Sequence, residues 1–237
     1  MKDIQKIQWK RIGAEAAAIV VSILLAFGID AWWGNRAEEI LARKYVDYLI
    51  AEARENLQGL HDLVIYHDGK KSQTIELIGL LASDNPQESN DRIRRLVLDV
   101  MYFGGYQPVT SALDNIIGDG GLGQLNDPQT QLAISQYAQA IKDHNLLQAE
   151  LADLVVNDFT VFLADRIPFL AVGFAGRALP DAAPESAFVF DAMVLVGSME
   201  FENMMVRRIV AEDDAARYAR HLIQVAEKLI AQLEPIS

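Results

Sequence analysis

The chain has no cysteine, which excludes disulfides, thiolate zinc sites, iron–sulfur ligation and a cysteine nucleophile together. It also lacks an excess of positive charge. Lys and Arg number 21 against 33 Asp and Glu, a formal net charge of −12. A nucleic-acid binder must neutralise phosphates with clustered Lys and Arg, so that partner class is disfavoured. No convincing period-two strand pattern occurs beyond short runs such as Phe188-Val189-Phe190, and there is no internal repeat or low-complexity segment. No serine sits in a GxSxG elbow, there is no P-loop, and the spacing of an EF-hand loop is missing. Neither an enzymatic activity nor a cofactor is implied.

What is present begins with one long apolar run. Residues Ile12 to Trp33 contain only two charges, Glu15 and Asp30, both near the ends. Twenty-two residues of helix span about 33 Å, against a hydrocarbon core of about 30 Å. Trp32 and Trp33 close the run as an interfacial aromatic belt does. A buried core helix is disfavoured because Ala16 to Ile29 has no polar face beyond Ser22. A cleaved signal peptide is the other alternative, since Ala26-Phe27-Gly28 resembles a small-x-small site. The expectation is a retained membrane helix over 12–33, preceded by a short basic tail (1–11) and followed by an acidic all-helical domain (34–237). Lys2, Lys6, Lys10 and Arg11 precede the span, which places the N-terminus in the cytoplasm. From Arg36 onward acidic residues outnumber basic ones 30 to 17. An acidic domain on the far side is repelled by anionic headgroups and stands off the bilayer.

Along the rest of the chain, no Pro and a single Gly, Gly59, fall between Asn35 and Asp68, so the membrane helix is expected to continue outward. Leu41, Tyr45, Tyr48, Leu49, Ala53, Leu57, Leu60 and Val64 follow three–four spacing. Gly69 is read as a bend before a second segment, Lys71 to Ala82. Ser83 to Asn90 is a loop, and Asp91 to Phe103 reads as a helix with Ile93, Leu96, Val97, Val100 and Met101 inward. Thr110 is a candidate N-cap for Ser111 to Ile117. Asn126 or Asp127, with Pro128 in the first turn, starts a long helix to about Arg166 that Pro168 ends. Residues 168–186 are irregular, and a last helical region runs from Phe188 to Leu233 with a break near Gly197. The fold class is all-α, an antiparallel bundle around the extended anchor helix.

Two stretches carry a resemblance. The first comprises Gly13, Glu15, Leu24-Leu25-Ala26-Phe27, Asp30-Ala31-Trp32-Trp33 and Asn35-Arg36. The second runs from Ser111 through Leu113 and Gly118 to Leu122-Gly123-Gln124-Leu125, with Tyr137 beyond it. Together they resemble an uncharacterised bacterial family that opens with a glycine–glutamate pair and one apolar span. Ala138 stands where that family has a second tyrosine. The resemblance implies a single-pass inner-membrane protein with a helical external domain, and it implies no activity.

Several residues invite a chemical reading. Gly118 to Gly123 matches GxGxxG, but it follows a helix rather than a strand and lies beside Asp114, Asp119 and Asp127, which repel phosphate. A helix C-cap using glycine at positive φ is the preferred account. His61, His67, His144 and His221 lack the i, i+4 spacing of a zinc helix. Glu200, Glu202, Glu212, Asp213 and Asp214 read as a solvated helix face paired with Arg207, Arg208 and Arg217. Tyr102, Phe103 and Tyr106 are candidates for a docking surface, although aromatic residues bordering helices are more often core. The functional expectation is a membrane-anchored structural or interaction protein, an accessory subunit of a larger inner-membrane complex of respiratory, photosynthetic or transport type. Its partners would be the lipid bilayer and other membrane proteins or itself. The alternative is a periplasmic ligand-binding or sensory module that relays through a partner.

Overall fold

The computed structural model describes residues 9–118, 121–125, 127–173, 180 and 184–235, with the side chains of 9–17, 35, 37–39 and 124 outside the description. Every regular element among the described residues is helical. In chain order they are α1 (Trp9–Leu81), a 3-10 turn (Pro86–Ser89), α2 (Asn90–Val100), α3 (Ser111–Gly118), α4 (Gly121–Gln124) and α5 (Pro128–Asp153). Next come a π-helical turn (Leu154–Phe159), α6 (Thr160–Ala164), α7 (Phe169–Val172), a second 3-10 turn (Ala192–Val194) and α8 (Met199–Leu233).

α1 is a single helix of 73 residues, about 110 Å long at 1.5 Å per residue. It passes through Gly69 without interruption, so the bend expected there is absent. A lone glycine costs a helix about 1 kcal/mol, and packing on both sides outweighs that. From Ala18 to Leu41 every described side chain is exposed, including Ile19, Leu24, Leu25, Phe27 and the two tryptophans. Among the described residues no helix is long and apolar enough to cross a membrane, and the apolar run that starts at Ile12 enters the stretch whose side chains lie outside the description.

Burial begins at Val46 and then follows a heptad pattern. The inward positions of α1 are Val46, Leu49, Ala53, Asn56, Leu60, Leu63, His67, Lys70, Thr74, Leu77 and Leu81, alternating steps of three and four. This seam is rotated from the expected one: Leu41 and Tyr48 are exposed, and Leu57 and Val64 are only half-buried. α5 repeats the pattern with Thr130, Ile134, Tyr137, Ile141, His144, Gln148 and Leu151. α8 does so with Phe201, Met205, Arg208, Glu212, Ala215, Ala219, Leu222, Ala226, Leu229 and Leu233. Ion pairs give the directions: Arg54 meets Glu234 at 2.7 Å and Lys71 meets Asp213 at 2.7 Å, so α8 runs antiparallel to α1.

The π turn corrects a register conflict. Continuing the α5 seam from Leu151 and Val155 by three residues would place Asp158 inside. The wider turn instead puts Phe159 in the core, fully buried, and leaves Asp158 outside, 2.7 Å from Arg207. The helix expected to reach about Arg166 thus runs on through the π turn and α6 to Ala164. Gly197, at φ +70°, makes the turn before α8, where the Ser198 hydroxyl accepts from the Phe201 amide at 3.2 Å. Gly118, Gly121 and Gly123 show no positive φ, because Gly118 ends α3 and the other two belong to α4. Asp119, Gly120 and Asn126 lie outside the described residues.

Candidate functional site

The apolar core comes in two parts. One surrounds α3, the first part of α5 and the last part of α8. The other joins the end of α1 to α2, the π turn and the start of α8. Between them the three seams turn polar together: His67, Lys70 and Thr74 on α1, His144 and Gln148 on α5, Arg208 and Glu212 on α8, all buried. Charges survive in a core only when paired and hydrogen-bonded, and here the pairing is centred on one carboxylate.

Glu212 is the hub. One carboxylate oxygen lies 2.5 Å from Nδ1 of His67 and the other 2.5 Å from Nη2 of Arg208, one turn away. Gln148 Nε2 stands 3.1 Å from His67 Nε2. An amide nitrogen can only donate, so His67 Nε2 accepts and its ring proton sits on Nδ1, given to Glu212. Arg208 also donates to the Tyr102 carbonyl at 3.0 Å, while its Nε and Nη1 find no partner among the described residues. Burial pulls the Arg208 pKa below its ordinary value, with Glu212 opposing. His144 donates from Nε2 to the Tyr106 carbonyl at 3.1 Å. Burial, aided by nearby His67, lowers the His144 pKa, and the bond to that carbonyl opposes the shift.

The irregular segment 101–110 lies along this layer and is held by α1. Asn56 accepts from the Val109 amide and donates to the Val109 carbonyl, both at 2.8 Å. It also bonds the hydroxyls of Tyr106 and Tyr137, each at 3.0 Å. Burial pushes the Tyr137 phenol up to about 12. One turn earlier, Glu52 accepts from the amides of Ala112 at 2.6 Å and Leu113 at 3.2 Å. These are first-turn donors of α3, so a side chain from another helix performs the N-cap's work. Thr110, the expected cap, gives its hydroxyl to Asp114 at 2.8 Å instead. Burial raises the Glu52 pKa, and the two amides oppose that shift.

The layer reaches the surface at a cavity of about 550 Å³ lined by Ile65, Tyr66, Gly69, Lys70, Gln73, Asp99 and Tyr102. Lys70 Nζ donates to the Asp99 carbonyl at 3.2 Å and lies 3.7 Å from its carboxylate. The rings of Tyr66 and Tyr102 have centroids 5.6 and 5.7 Å from that ammonium. Burial lowers the Lys70 pKa, and Asp99 works against it.

The residues singled out from sequence fall in two places. Asp30, Trp32 and Trp33 are exposed on α1, with the two indoles edge-to-face at 5.2 Å, and the side chain of Glu15 lies outside the description. Tyr102, Phe103 and Tyr106 come together in the clamped segment. Tyr106 is half-buried, its ring packed on Gly59 and its hydroxyl given to Asn56. Tyr102 keeps 37% of its surface. The expectation of a solvated acidic face on α8 fails at Glu212 and Arg208, which are wholly buried. His67 matches no metal spacing, and Lys70, Asn56 and Glu52 match no motif. Their only signal in the sequence is a polar residue at or beside a seam position of an otherwise apolar heptad pattern. Among the described residues no group of histidines and carboxylates could hold a metal ion. Compared with protein-family models, curated protein sequences and solved structures, the chain matches none.

Proposed function

We propose that this chain is a membrane-anchored interaction protein whose helical domain, held outside the cytoplasm, serves as an accessory subunit of a larger inner-membrane assembly. The observation that carries this reading is α1: one unbroken helix whose first part leaves Ile19 to Trp33 uncovered by the rest of the chain and whose second part forms the bundle's first seam. A helix cannot present so many large apolar side chains to water without cost, at about 25 cal/mol per Å², and a bilayer is the solvent that removes it. The basic residues before the span, the tryptophan pair after it and the resemblance of residues 13–36 and 111–125 to a single-pass family support the same arrangement. Continuity between anchor and bundle transmits orientation, which suits a subunit that must meet its partner at a set height above the membrane.

The test is affinity purification from native membranes in mild detergent, followed by mass spectrometry. Stoichiometric recovery with a membrane complex is expected. Recovery of the chain alone, or only with itself, overturns the accessory-subunit reading.

A further inference from the structure

The end of the bundle opposite the stalk displays apolar side chains on a backbone that is held in place. Between Ser186 and Val196 the chain mixes anchors with exposed residues. Phe190, Ala192 and Leu195 are buried in the core. Asn90 donates to the Phe190 carbonyl at 3.3 Å and accepts from the Ala192 amide at 2.9 Å. Asp191 accepts from the Met193 amide at 2.9 Å. Phe188, Val189, Met193 and Val194 are exposed between these anchors. Phe188 and Val189 keep 74% and 88% of their surface, more than any large apolar side chain of the stalk, where Phe27 is highest at 66%. Next to Val194 a groove of about 250 Å³ opens between the end of α1 and the start of α8. Ile78, Leu81, Leu195, Val196 and Phe201 line it together with Glu202. That volume lies below the about 300–1,000 Å³ of ordinary small-molecule pockets, so it admits a partner's side chain rather than a metabolite.

The rim of this surface is acidic. Residues 184–202 hold four acids and no base. Glu200 is taken by Arg166, whereas Glu185, Asp191 and Glu202 carry no ion pair among the described residues. The adjoining turn and the start of α2 add Asp84 and Asp91, also exposed and without an ion pair there. Of the three arginines on α2, Arg92 is held by Glu76 and Arg94 donates to the Ala171 carbonyl. Arg95 alone stands against five such carboxylates. An uncovered apolar patch marks an interaction surface, and here the charges decide what covers it. A bilayer does not: Trp33 is about 70 Å away along α1, and anionic headgroups repel an acidic rim. A second copy does not either, since it brings the same acids to the same place.

We propose that this end of the bundle docks a basic amphipathic helix of a partner protein. Its apolar face lies on Phe188, Val189, Met193 and Val194, with one side chain in the groove. Its Lys or Arg residues meet Glu185, Asp191 and Glu202. Such a helix offers an apolar stripe and charged flanks together, and complementary charge selects it over other partners. The proposal deepens the accessory-subunit reading and rests on it, naming the end of the subunit that docks and the charge of what it meets.

The test places p-benzoyl-phenylalanine at position 188 of the full chain, irradiates native membranes and maps the adduct by mass spectrometry. The adduct is expected on a protein segment whose Lys and Arg outnumber its Asp and Glu and whose apolar residues follow three–four spacing. Glu185→Lys with Glu202→Lys reverses two exposed charges and is expected to cut the yield at least tenfold, with helix content by circular dichroism unchanged. Val189→Ser, at the most exposed apolar position, should lower it likewise. An adduct on lipid, on a second copy or on an acidic segment overturns the proposal, and so does a yield indifferent to the charge reversal. If the parent co-purifies with a membrane complex but position 188 gives no adduct, the accessory-subunit reading stands and this docking end falls. A parent recovered alone and without an adduct overturns both.

Discussion

At the scale of single residues, the polar layer shows how a charge is kept in a core and what the loss of its partner costs. Arg208 and Glu212 are fully buried and one turn apart on α8, with Glu212 also holding His67. Arg208→Met leaves Glu212 as an uncompensated buried anion, and a loss of about 3–5 kcal/mol is expected. Arg208→Met with Glu212→Gln should recover most of it, because the amide still accepts from His67 and no net charge remains. Chemical denaturation of the single and double variants measures both. Asn56 is the neutral counterpart: all four of its hydrogen bonds are made, two of them to one backbone residue. Asn56→Ala strands the amide and carbonyl of Val109, and a cost of about 3 kcal/mol is expected from unmet buried groups, read as a lower denaturation midpoint.

His144 ties this chemistry to pH. Burial lowers its pKa in the folded chain, so the unfolded chain takes up the proton first. The unfolded state binds more protons below its own pKa of about 6.5, and stability therefore falls as the pH falls through that range. The contribution is intact above that value and is lost progressively as pH drops toward the lower folded pKa. His144→Gln keeps a donor toward the Tyr106 carbonyl and removes the titration. Its denaturation midpoint should change less than the parent's between pH 7.5 and 5.5. Equal slopes for the two chains would show that His144 is not the group responsible.

At the scale of elements, steps of three and four along α1, α5 and α8 decide which faces meet, and local features decide where the pattern stops. The expectation of helices over most of the chain needs only those spacings and the start signals. Asp127 caps α5, its carboxylate accepting from the amides of Gln129 and Thr130. The phase of the α1 seam is harder to read, because counting only apolar residues skips Asn56, His67, Lys70 and Thr74, which occupy inward positions. The same omission makes Glu212 look like a surface residue. The π turn is not legible either, since Asp158 and Phe159 are adjacent and only the neighbouring helices determine which is inside. Contact between elements also gives glycines opposite meanings. At Gly59 a Cβ would fall 2.2 Å from the Tyr106 ring, whereas at Gly79 it would meet nothing within 4 Å. Gly59→Ala should cost about 1–3 kcal/mol by displacing that ring, and Gly79→Ala should add about 1 kcal/mol of stability. Paired thermal melts distinguish the two.

At the scale of the whole molecule, the division is between an exposed apolar stalk and a bundle with a polar waist. If the stalk is the anchor, the chain stays in the membrane pellet through an alkaline carbonate wash. Leu24→Arg with Leu25→Arg adds about 2.5–3.5 kcal/mol per arginine at mid-span and should shift the chain to the wash. A parent chain that leaves the membrane in carbonate would defeat the anchor. Helix content, the apolar run and its charged flanks were determined by the sequence alone, because they rest on period, length and sign of charge, which are properties of neighbouring residues. The polar layer, the cap that Glu52 lends to α3 and the cavity at Lys70 were decided only in the tertiary structure. Each joins residues far apart in the chain, and whether a buried carboxylate or ammonium is tolerated depends on which partner the fold brings within hydrogen-bonding reach.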